Sequence, residues 1–189
     1  GDLTALNQSR KALTEKGKEE AIRIIETTEL KNDRVLVVYL PDCHESLAGI
    51  IAGRIREKYH RPAFVLTGGE TSAKGSGRSI ESYSMYEELV KCADLMIQFG
   101  GHPMAAGLSI EEKNIEEFRR RLNVNCTLTD EELRPKIVID VPMPVSYITK
   151  ELVEQISLLE PFGKGNTKPV FAQKNLRVLD HSIIGKNKN

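Results

Sequence analysis

The sequence predicts an α/β protein in which helices flank a mixed sheet, followed by a shorter strand-rich segment. Two nearly unbroken apolar runs, RVLVVYL (34–40) and PAFVLTGG (62–69), have the composition of strands that are buried on both faces. Between them, SLAGIIAGRIREKYH (46–60) carries apolar residues at helical spacing. A strand, a helix and a second strand in this order imply a right-handed crossover and a parallel pair.

A long helix is predicted ahead of the first strand, over residues 3–29. Its apolar residues Leu6, Leu13, Ala21 and Ile25 fall on one stripe, with charged residues elsewhere. We expect this stripe to face the body of the protein.

Two glycines, Gly49 and Gly53, lie about one turn apart in the second predicted helix. Because glycine has no side chain, we expect them to let this helix lie close against the sheet. His44 stands just before the helix, where a capping or solvent-exposed role is expected rather than chemistry.

The next elements follow from turn and capping signals. AKGSGRSI (73–80) is predicted as a strand or strand edge. Ser84 and Glu87 have the spacing of a capping box, which opens a helix to about Leu95.

A second helix with a capping signal follows another strand. The strand is AAGLSI (105–110), and Asn114 with Glu117 is predicted to cap the helix that runs through Leu122. Together these elements complete the mixed sheet.

Residues 124–135 read as a linker, after which the composition changes. KIVIDVPMPV is predicted as a strand, ITKELVEQISLLE as a short helix, and PVFAQKNLRVLDHSIIG as two further strands. The last 26 residues contain six Lys or Arg and one Asp, which makes this strand-rich tail basic.

The bulk composition excludes several classes of protein. Lys+Arg and Asp+Glu are both 27, so the neutral surface as a whole does not favour nucleic acid, although a local basic patch is allowed. The three cysteines show no CxxC spacing, which argues against a zinc site or disulfide framework and favours a reducing, cytoplasmic location. No apolar run is long enough for a membrane span, and no export signal is visible, so we expect no membrane partner.

GSGRSI (75–80) combines groups that suit a phosphate. Glycine N–H groups, including that of Gly77, the hydroxyls of Ser76 and Ser79, and the planar cation of Arg78 would form a phosphate cradle. The alternative is a flexible turn with one solvated arginine.

FGGHPMAAG (99–107) places a titratable residue beside flexible backbone. Gly100 and Gly101 permit close approach to a ligand, and His102 can donate to a phosphate or transfer a proton. The small residues AAG after it would leave room for a bulky partner. The alternative is a strand–turn–strand corner with a hydrogen-bonded histidine.

LEPFGKGNTKPVF (159–171) has turn residues between prolines, which is typical of a rigid structural loop. Lys164 and Lys168 are candidate contacts to a phosphate backbone. The alternative for each is a solvated surface position.

The order of these segments carries a family resemblance. CHESLAGIIAGRI, GSGRSI, FGGHPMAAG and LEPFGKGN…PVF in succession resemble the RecJ-type single-strand-specific exonucleases of the DHH superfamily. The resemblance implies a connector helix over 1–29, a DHHA1 domain over 30–123, a linker over 124–135 and an incomplete, β-rich, OB-like DNA-binding domain over 136–189.

The resemblance also implies roles for the two glycine motifs. Ser76, Arg78 and Ser79 would hold a phosphate at the 5′ end of single-stranded DNA. The glycines of FGGH would approach the scissile phosphate, and His102 would act catalytically by donating to an oxygen that gains charge during hydrolysis.

The sequence departs from the family pattern in two places. Around His44 the family commonly shows Trp before the histidine and Pro-Gly after it, where this chain has Cys43 and Glu45-Ser46. The family's Asp-His-His metal motif is absent. We therefore expect Mg²⁺ or Mn²⁺ in a full-length enzyme, no metal ligands in this chain, and no activity from this piece alone.

Three functions remain open from the sequence. The first is the substrate-binding part of a metal-dependent 5′→3′ exonuclease on single-stranded DNA in repair and recombination, with DNA-repair partner proteins that the sequence does not identify. The second is a DHH/DHHA1 oligoribonuclease or cyclic-dinucleotide phosphodiesterase. The third is a non-enzymatic nucleic-acid-binding module.

Overall fold

The computed structural model describes residues 2–163 and 165–182. Two compact units divide the chain, Gly1–Pro135 and Lys136–Asn189. Within the described residues no helix is both long enough and apolar enough to cross a membrane.

The first unit alternates helices with strands, as its hydrophobic periodicity predicts. Its elements are α1 (Asp2–Thr27), β1 (Leu36–Leu40), α2 (Glu45–Tyr59), β2 (Ala63–Thr67), β3 (Ala73–Arg78), α3 (Met85–Val90), β4 (Met96–His102), β5 (Ala105–Ile110) and α4 (Ile115–Asn125). Short 3-10 helices cover Glu29–Asn32, Ala93–Leu95 and Glu112–Asn114.

The five strands of the first unit form one mixed sheet in the order β1-β2-β3-β5-β4. The pair β1 and β2 is parallel, as the strand–helix–strand order predicts, and the other neighbouring pairs are antiparallel. The predicted mixed sheet is therefore confirmed, with β3 in its centre and β4 at one edge.

Helices pack against both faces of the sheet, and because successive side chains of a strand point to opposite sides, each face has its own core. Helices α1 and α2 cover one face over a core that includes Ile25, Leu36, Val38, Ile51, Ile55 and Val65. Helices α3 and α4 cover the other face, over a core that includes Val37, Phe64, Leu66, Leu89, Phe118 and Leu122.

The predicted stripe of α1 is buried only over its second half. Ala21 and Ile25 are fully buried, whereas Leu6 and Leu13 are 66% and 53% exposed. The helix itself is confirmed, but its first turns do not pack against the described part of the chain.

Two of the three predicted caps form. Ser84 Oγ accepts from the Glu87 amide at 3.4 Å and begins α3. His44 begins α2, where its Nδ1 accepts from the Ser46 amide at 3.2 Å, so the expected capping role of His44 is confirmed.

The third predicted cap is wrong. Asn114 makes no capping hydrogen bond, and its amide Nδ2 donates to the Leu95 carbonyl at 3.1 Å. The helix that opens at Ser84 also ends earlier than predicted, since α3 stops at Val90 and a 3-10 turn follows.

The predicted linker, 124–135, begins inside α4 and stays with the first unit. Leu128 is 5% exposed and belongs to the core that lies under α4. Arg34 adds an ion pair to Asp130 at 2.7 Å, which ties the segment to the start of β1.

The second unit holds little regular structure among its described residues. It contains β6 (Val141–Pro142), a 3-10 turn (Val145–Tyr147), α5 (Lys150–Ser157) and β7 (Phe171–Ala172), with β6 and β7 parallel. The predicted helix and two of the predicted strands are present in shortened form. No strand follows β7 up to residue 182, and the rest of the last predicted strand lies outside the described residues.

Candidate nucleic-acid interface

The GSGRSI segment forms part of β3, and this position decides which of its groups are free. Strand β3 pairs with β2 on one side and with β5 on the other. Its backbone N–H groups donate to the neighbouring strands β2 and β5 within the sheet. The predicted cradle of exposed glycine amides is therefore wrong. Only side chains of this segment can meet a ligand.

Two of the predicted phosphate ligands face the core. A Cβ on Gly77 would lie 2.5 Å from Met85 Sδ, so glycine at this position serves packing. Ser79 is 1% exposed, and its Oγ donates to the Tyr83 carbonyl at 2.5 Å. The structure therefore contradicts a direct phosphate contact by Gly77 and Ser79.

Ser76 and Arg78 point to the other face of the sheet. Arg78 Nη1 donates to Ser76 Oγ at 3.1 Å and to the Gly77 carbonyl at 2.7 Å. Among the described residues no carboxylate pairs with this guanidinium. Its charge is therefore held in place and left available to an anion.

Gly49 makes room for this arginine. A Cβ at Gly49 would lie 2.7 Å from Arg78 Nη2 and 3.0 Å from Ser76 Oγ, whereas a Cβ at Gly53 would meet nothing within 4 Å. Of the two glycines, only Gly49 therefore allows a close approach to α2. The group that lies against the helix there is the guanidinium of Arg78.

The FGGH motif is the end of a strand in a strand–turn–strand hairpin, so the strand–turn–strand part of the alternative interpretation is present. Residues 96–102 form β4 and pair antiparallel with β5 through a tight connection at Pro103-Met104. Gly101 has φ +149°, and a Cβ there would lie 2.4 Å from the Ala105 carbonyl oxygen. The hairpin backbone therefore requires glycine at this position.

Strand pairing brings His102 and Arg78 to one face. His102 pairs with Ala105, which in turn pairs with Arg78. Directly paired residues share a face, so the two side chains stand two strands apart, about 10 Å between backbones. His102 is exposed, and no side-chain hydrogen bond engages it within the described chain, which removes the alternative of a buried corner histidine.

Next to this pair lies a floor of small residues. Ser76 pairs with Gly107, and Gly107 pairs with Gly100. A Cβ on Gly100 would meet nothing within 4 Å, and one on Gly107 would meet only the Gly75 carbonyl oxygen, at 3.7 Å. Both glycines are exposed, since α2 packs on β2 and β3 and leaves this part of the face open.

A third row of polar side chains lies beyond the glycine floor, and sequence reasoning missed it. Lys74 pairs with Ser109, and Ser109 pairs with Gln98. With the floor they line a shallow pocket of about 330 Å³. Period-two spacing from Arg78 and Ser76 back to Lys74 could have signalled its position, but the partners on β5 and β4 required the strand register.

The two remaining candidates lie in the second unit. Lys168 is exposed, with no ion pair among the residues that the structure describes. Lys164 falls outside the described residues.

The titratable groups argue against two other chemistries. Burial raises the pKa of the Cys43, Cys92 and Cys126 thiols, which disfavours the nucleophilic thiolate. No group of three or more His, Cys, Asp and Glu side chains within 2–163 and 165–182 is placed to hold a metal ion. The open face thus offers a cation, hydroxyls, an imidazole and an amide.

Comparison with known families matches the DHHA1 domain to residues 32–127, about half of the chain. The chain belongs to the DHHA1 family. The open face described above therefore lies on a DHHA1 domain, and β3 and β4 carry its two glycine motifs. A second family model, the RecJ OB domain, matches residues 139–189.

The curated relatives of this DHHA1 chain include several RecJ proteins. It is 35% identical to the single-stranded-DNA-specific exonuclease RecJ of Bacillus subtilis over 99% of its own length, and 34% identical to RecJ of Escherichia coli over 97%. It spans only 24% and 33% of those relatives.

Solved structures agree with this similarity. RecJ from Thermus thermophilus, crystallised with Mg²⁺, superposes with a TM-score of 0.75 at 28% identity, over 90% of this chain and 26% of that one. The same protein crystallised with Mn²⁺ gives the same TM-score over 92% of this chain.

Proposed function

We propose that this chain is the substrate-binding part of a metal-dependent, single-strand-specific 5′→3′ DNA exonuclease that acts in the cytoplasm in repair and recombination. One observation carries the proposal. Ser76, Arg78 and His102 share the face of the sheet that α2 covers over β2 and β3 and leaves open over β5 and β4, and among the described residues no carboxylate neutralises the arginine. Two phosphate-binding groups beside a floor of glycines suit a flexible anionic strand.

The terminal phosphate binds Arg78 and Ser76 in this proposal. The guanidinium already donates to Ser76 Oγ, so the two groups form one preorganised site. A charge-assisted hydrogen bond of this kind contributes about 1.5–3 kcal/mol.

The scissile phosphate lies at the β4 side of the floor. His102, exposed at the end of β4, donates to an oxygen whose charge grows as the phosphodiester is hydrolysed. The exposed backbone beside Gly100 lets the strand come close to the sheet.

The metal ion needed for hydrolysis does not fit the described residues of this chain, which provide no cluster of ligands. The Thermus relative was crystallised with Mg²⁺ and with Mn²⁺. A divalent ion would supply an activated water and neutralise phosphate charge, and its ligands belong to another part of the complete enzyme. What this chain contributes is binding, orientation and one hydrogen-bond donor.

The match of residues 139–189 to the RecJ OB domain favours a strand longer than a dinucleotide as the substrate. OB folds bind several nucleotides of a single strand through stacking and basic grooves. Exposed Lys168 is a candidate backbone contact of this second segment.

The test uses the complete enzyme and 5′-phosphorylated single strands, compared with blunt duplexes and with dinucleotides. We expect metal-dependent release of mononucleotides from long single strands, and weaker strand binding after Arg78→Ala. Preferred hydrolysis of dinucleotides, or strand affinity unchanged by Arg78→Ala, would overturn the proposal.

A further inference from the structure

We propose that the pocket on the open face, lined by Lys74, Ser109 and Gln98 and floored by Gly107 and Gly100, binds the base and sugar of the terminal nucleotide. This inference rests on the proposed function and extends it from the phosphates to the nucleotide between them. It assigns a role to three polar residues that neither the sequence motifs nor the family match singled out.

The register of the sheet supplies the first argument. Arg78 and His102 form one row across β3, β5 and β4, and Ser76, Gly107 and Gly100 form the next row of the same face. Adjacent rows are separated by two residues along a strand, about 6.6–6.8 Å. A nucleotide with one phosphate at Arg78 and the other at His102 would therefore cross β5 at Ala105, beside the row that contains Gly107 and Gly100.

The shape of the floor supplies the second argument. Gly107 and Gly100 are exposed, and a methyl group would meet nothing within 4 Å at Gly100 and only the Gly75 carbonyl oxygen, at 3.7 Å, at Gly107. The pocket over them measures about 330 Å³, which lies within the range of small-ligand sites. Side chains are absent where the sugar and base would rest.

The chemistry of the far wall supplies the third argument. Lys74, Ser109 and Gln98 offer a cation, a hydroxyl and an amide, and among the described residues no side-chain hydrogen bond or ion pair occupies them. No acidic residue lines the pocket. An amide presents both donor and acceptor, and a hydroxyl can rotate, so this wall accepts different base edges without selecting one.

The experiment separates the pocket from the phosphate site by competition. In the complete enzyme, a deoxynucleoside 5′-monophosphate and 2-deoxyribose 5-phosphate are compared as inhibitors of single-strand cleavage. Both carry the phosphate, and only the first carries a base. We expect the mononucleotide to inhibit about tenfold more tightly, the effect of one or two hydrogen bonds with the base.

Variants of the pocket should remove that difference. Gln98→Ala should bring the two inhibition constants together while leaving that of 2-deoxyribose 5-phosphate unchanged. Gly107→Val fills the floor under the sugar and base, so it should weaken both inhibitors and the mononucleotide more. Gly53→Ala is the control, because its added methyl group meets nothing within 4 Å and lies on α2, away from the pocket. Melting temperatures of all variants verify that they are folded.

Each outcome has a distinct meaning. Equal inhibition by the two compounds in the wild type, or a ratio that both pocket variants leave unchanged, overturns the base pocket. Arg78→Ala should weaken both inhibitors equally. If Arg78→Ala weakens neither, the proposed function itself fails, and the two failures are thereby distinguishable.

Discussion

Gly49→Ala should weaken phosphate binding at Arg78 and Ser76 while leaving the protein folded. In the interior of an ordinary helix, replacing glycine by alanine raises the free energy of unfolding by about 1 kcal/mol. At Gly49 the new Cβ would stand 2.7 Å from Arg78 Nη2, which is closer than a Cβ atom approaches a neighbouring side chain without a shift. The arginine must move, and because Nη2 is the far end of a flexible side chain, the move costs the fold little.

We expect Gly49→Ala to lower the affinity for the ligand rather than the stability of the fold. A displaced guanidinium leaves Ser76 Oγ and loses the geometry in which it meets a phosphate. If the whole charge-assisted contact of about 1.5–3 kcal/mol disappears, the dissociation constant for a 5′-phosphorylated strand rises about 10- to 150-fold. A strand with a 5′-hydroxyl group should be affected far less.

The assay is fluorescence anisotropy with the complete enzyme under conditions that prevent cleavage, paired with thermal unfolding. Gly53→Ala is the matched control in the same helix, and we expect it to raise stability with unchanged affinity, since its Cβ meets nothing within 4 Å. Gly49→Ala combined with Arg78→Ala should bind no more weakly than Arg78→Ala alone. Wild-type affinity of Gly49→Ala for the 5′-phosphorylated strand would refute the reasoning.

Four further predictions follow from named contacts. His102→Ala should lower the single-turnover cleavage rate about 10²–10³-fold with an unchanged melting temperature. An unchanged cleavage rate would show that His102 takes no part in the reaction. Arg78→Lys should retain more affinity for 5′-phosphorylated strands than Arg78→Ala but less than wild type, because lysine lacks the fork of donors. Asn123 Oδ1 accepts from the Val35 amide at 3.0 Å, so Asn123→Ala should cost about 1–3 kcal/mol in chemical denaturation, and a neutral result would contradict the role of this contact. Hydrogen bonds from two arginines lower the pKa of Glu117 to about 2, below its unfolded value. Its contribution to the free energy of unfolding is therefore present above about pH 4.5 and is lost as the pH falls toward 2. Glu117→Gln should reduce the pH dependence of stability in this range, and the difference from wild type should be smaller in high salt.

Hydrophobic periodicity and capping signals were sufficient for most elements of the first unit, but not for β4. The apolar runs at β1 and β2, the helical stripe between them and the capping signals at His44 and Ser84 are local, and local signals can be recognised in a linear sequence. The order of the motifs was likewise sufficient for the family, which the DHHA1 and RecJ OB matches confirm.

The site itself depended on pairings between distant segments. Period-two alternation states that Ser76 and Arg78 share one face and that Gly77 and Ser79 share the other, but it does not state which face is buried. Packing decides which face is buried. On one side of β3 lie α3 and the core residue Phe64, and on the other side α2 leaves the neighbouring part of the sheet uncovered.

The same limit explains why β4 was not predicted and why Gly53 was misjudged. Two consecutive glycines carry no strand signal of their own, and only the hairpin with β5 makes them part of an edge strand. The two glycines of α2 look equivalent in the sequence, yet the guanidinium of Arg78 lies beneath Gly49 and not beneath Gly53. The sequence by itself determined the periodic elements and the family. The tertiary structure decided which side chains meet, because strand register and helix docking bring together residues that are distant in the sequence, such as Arg78 with His102 and with Gly49.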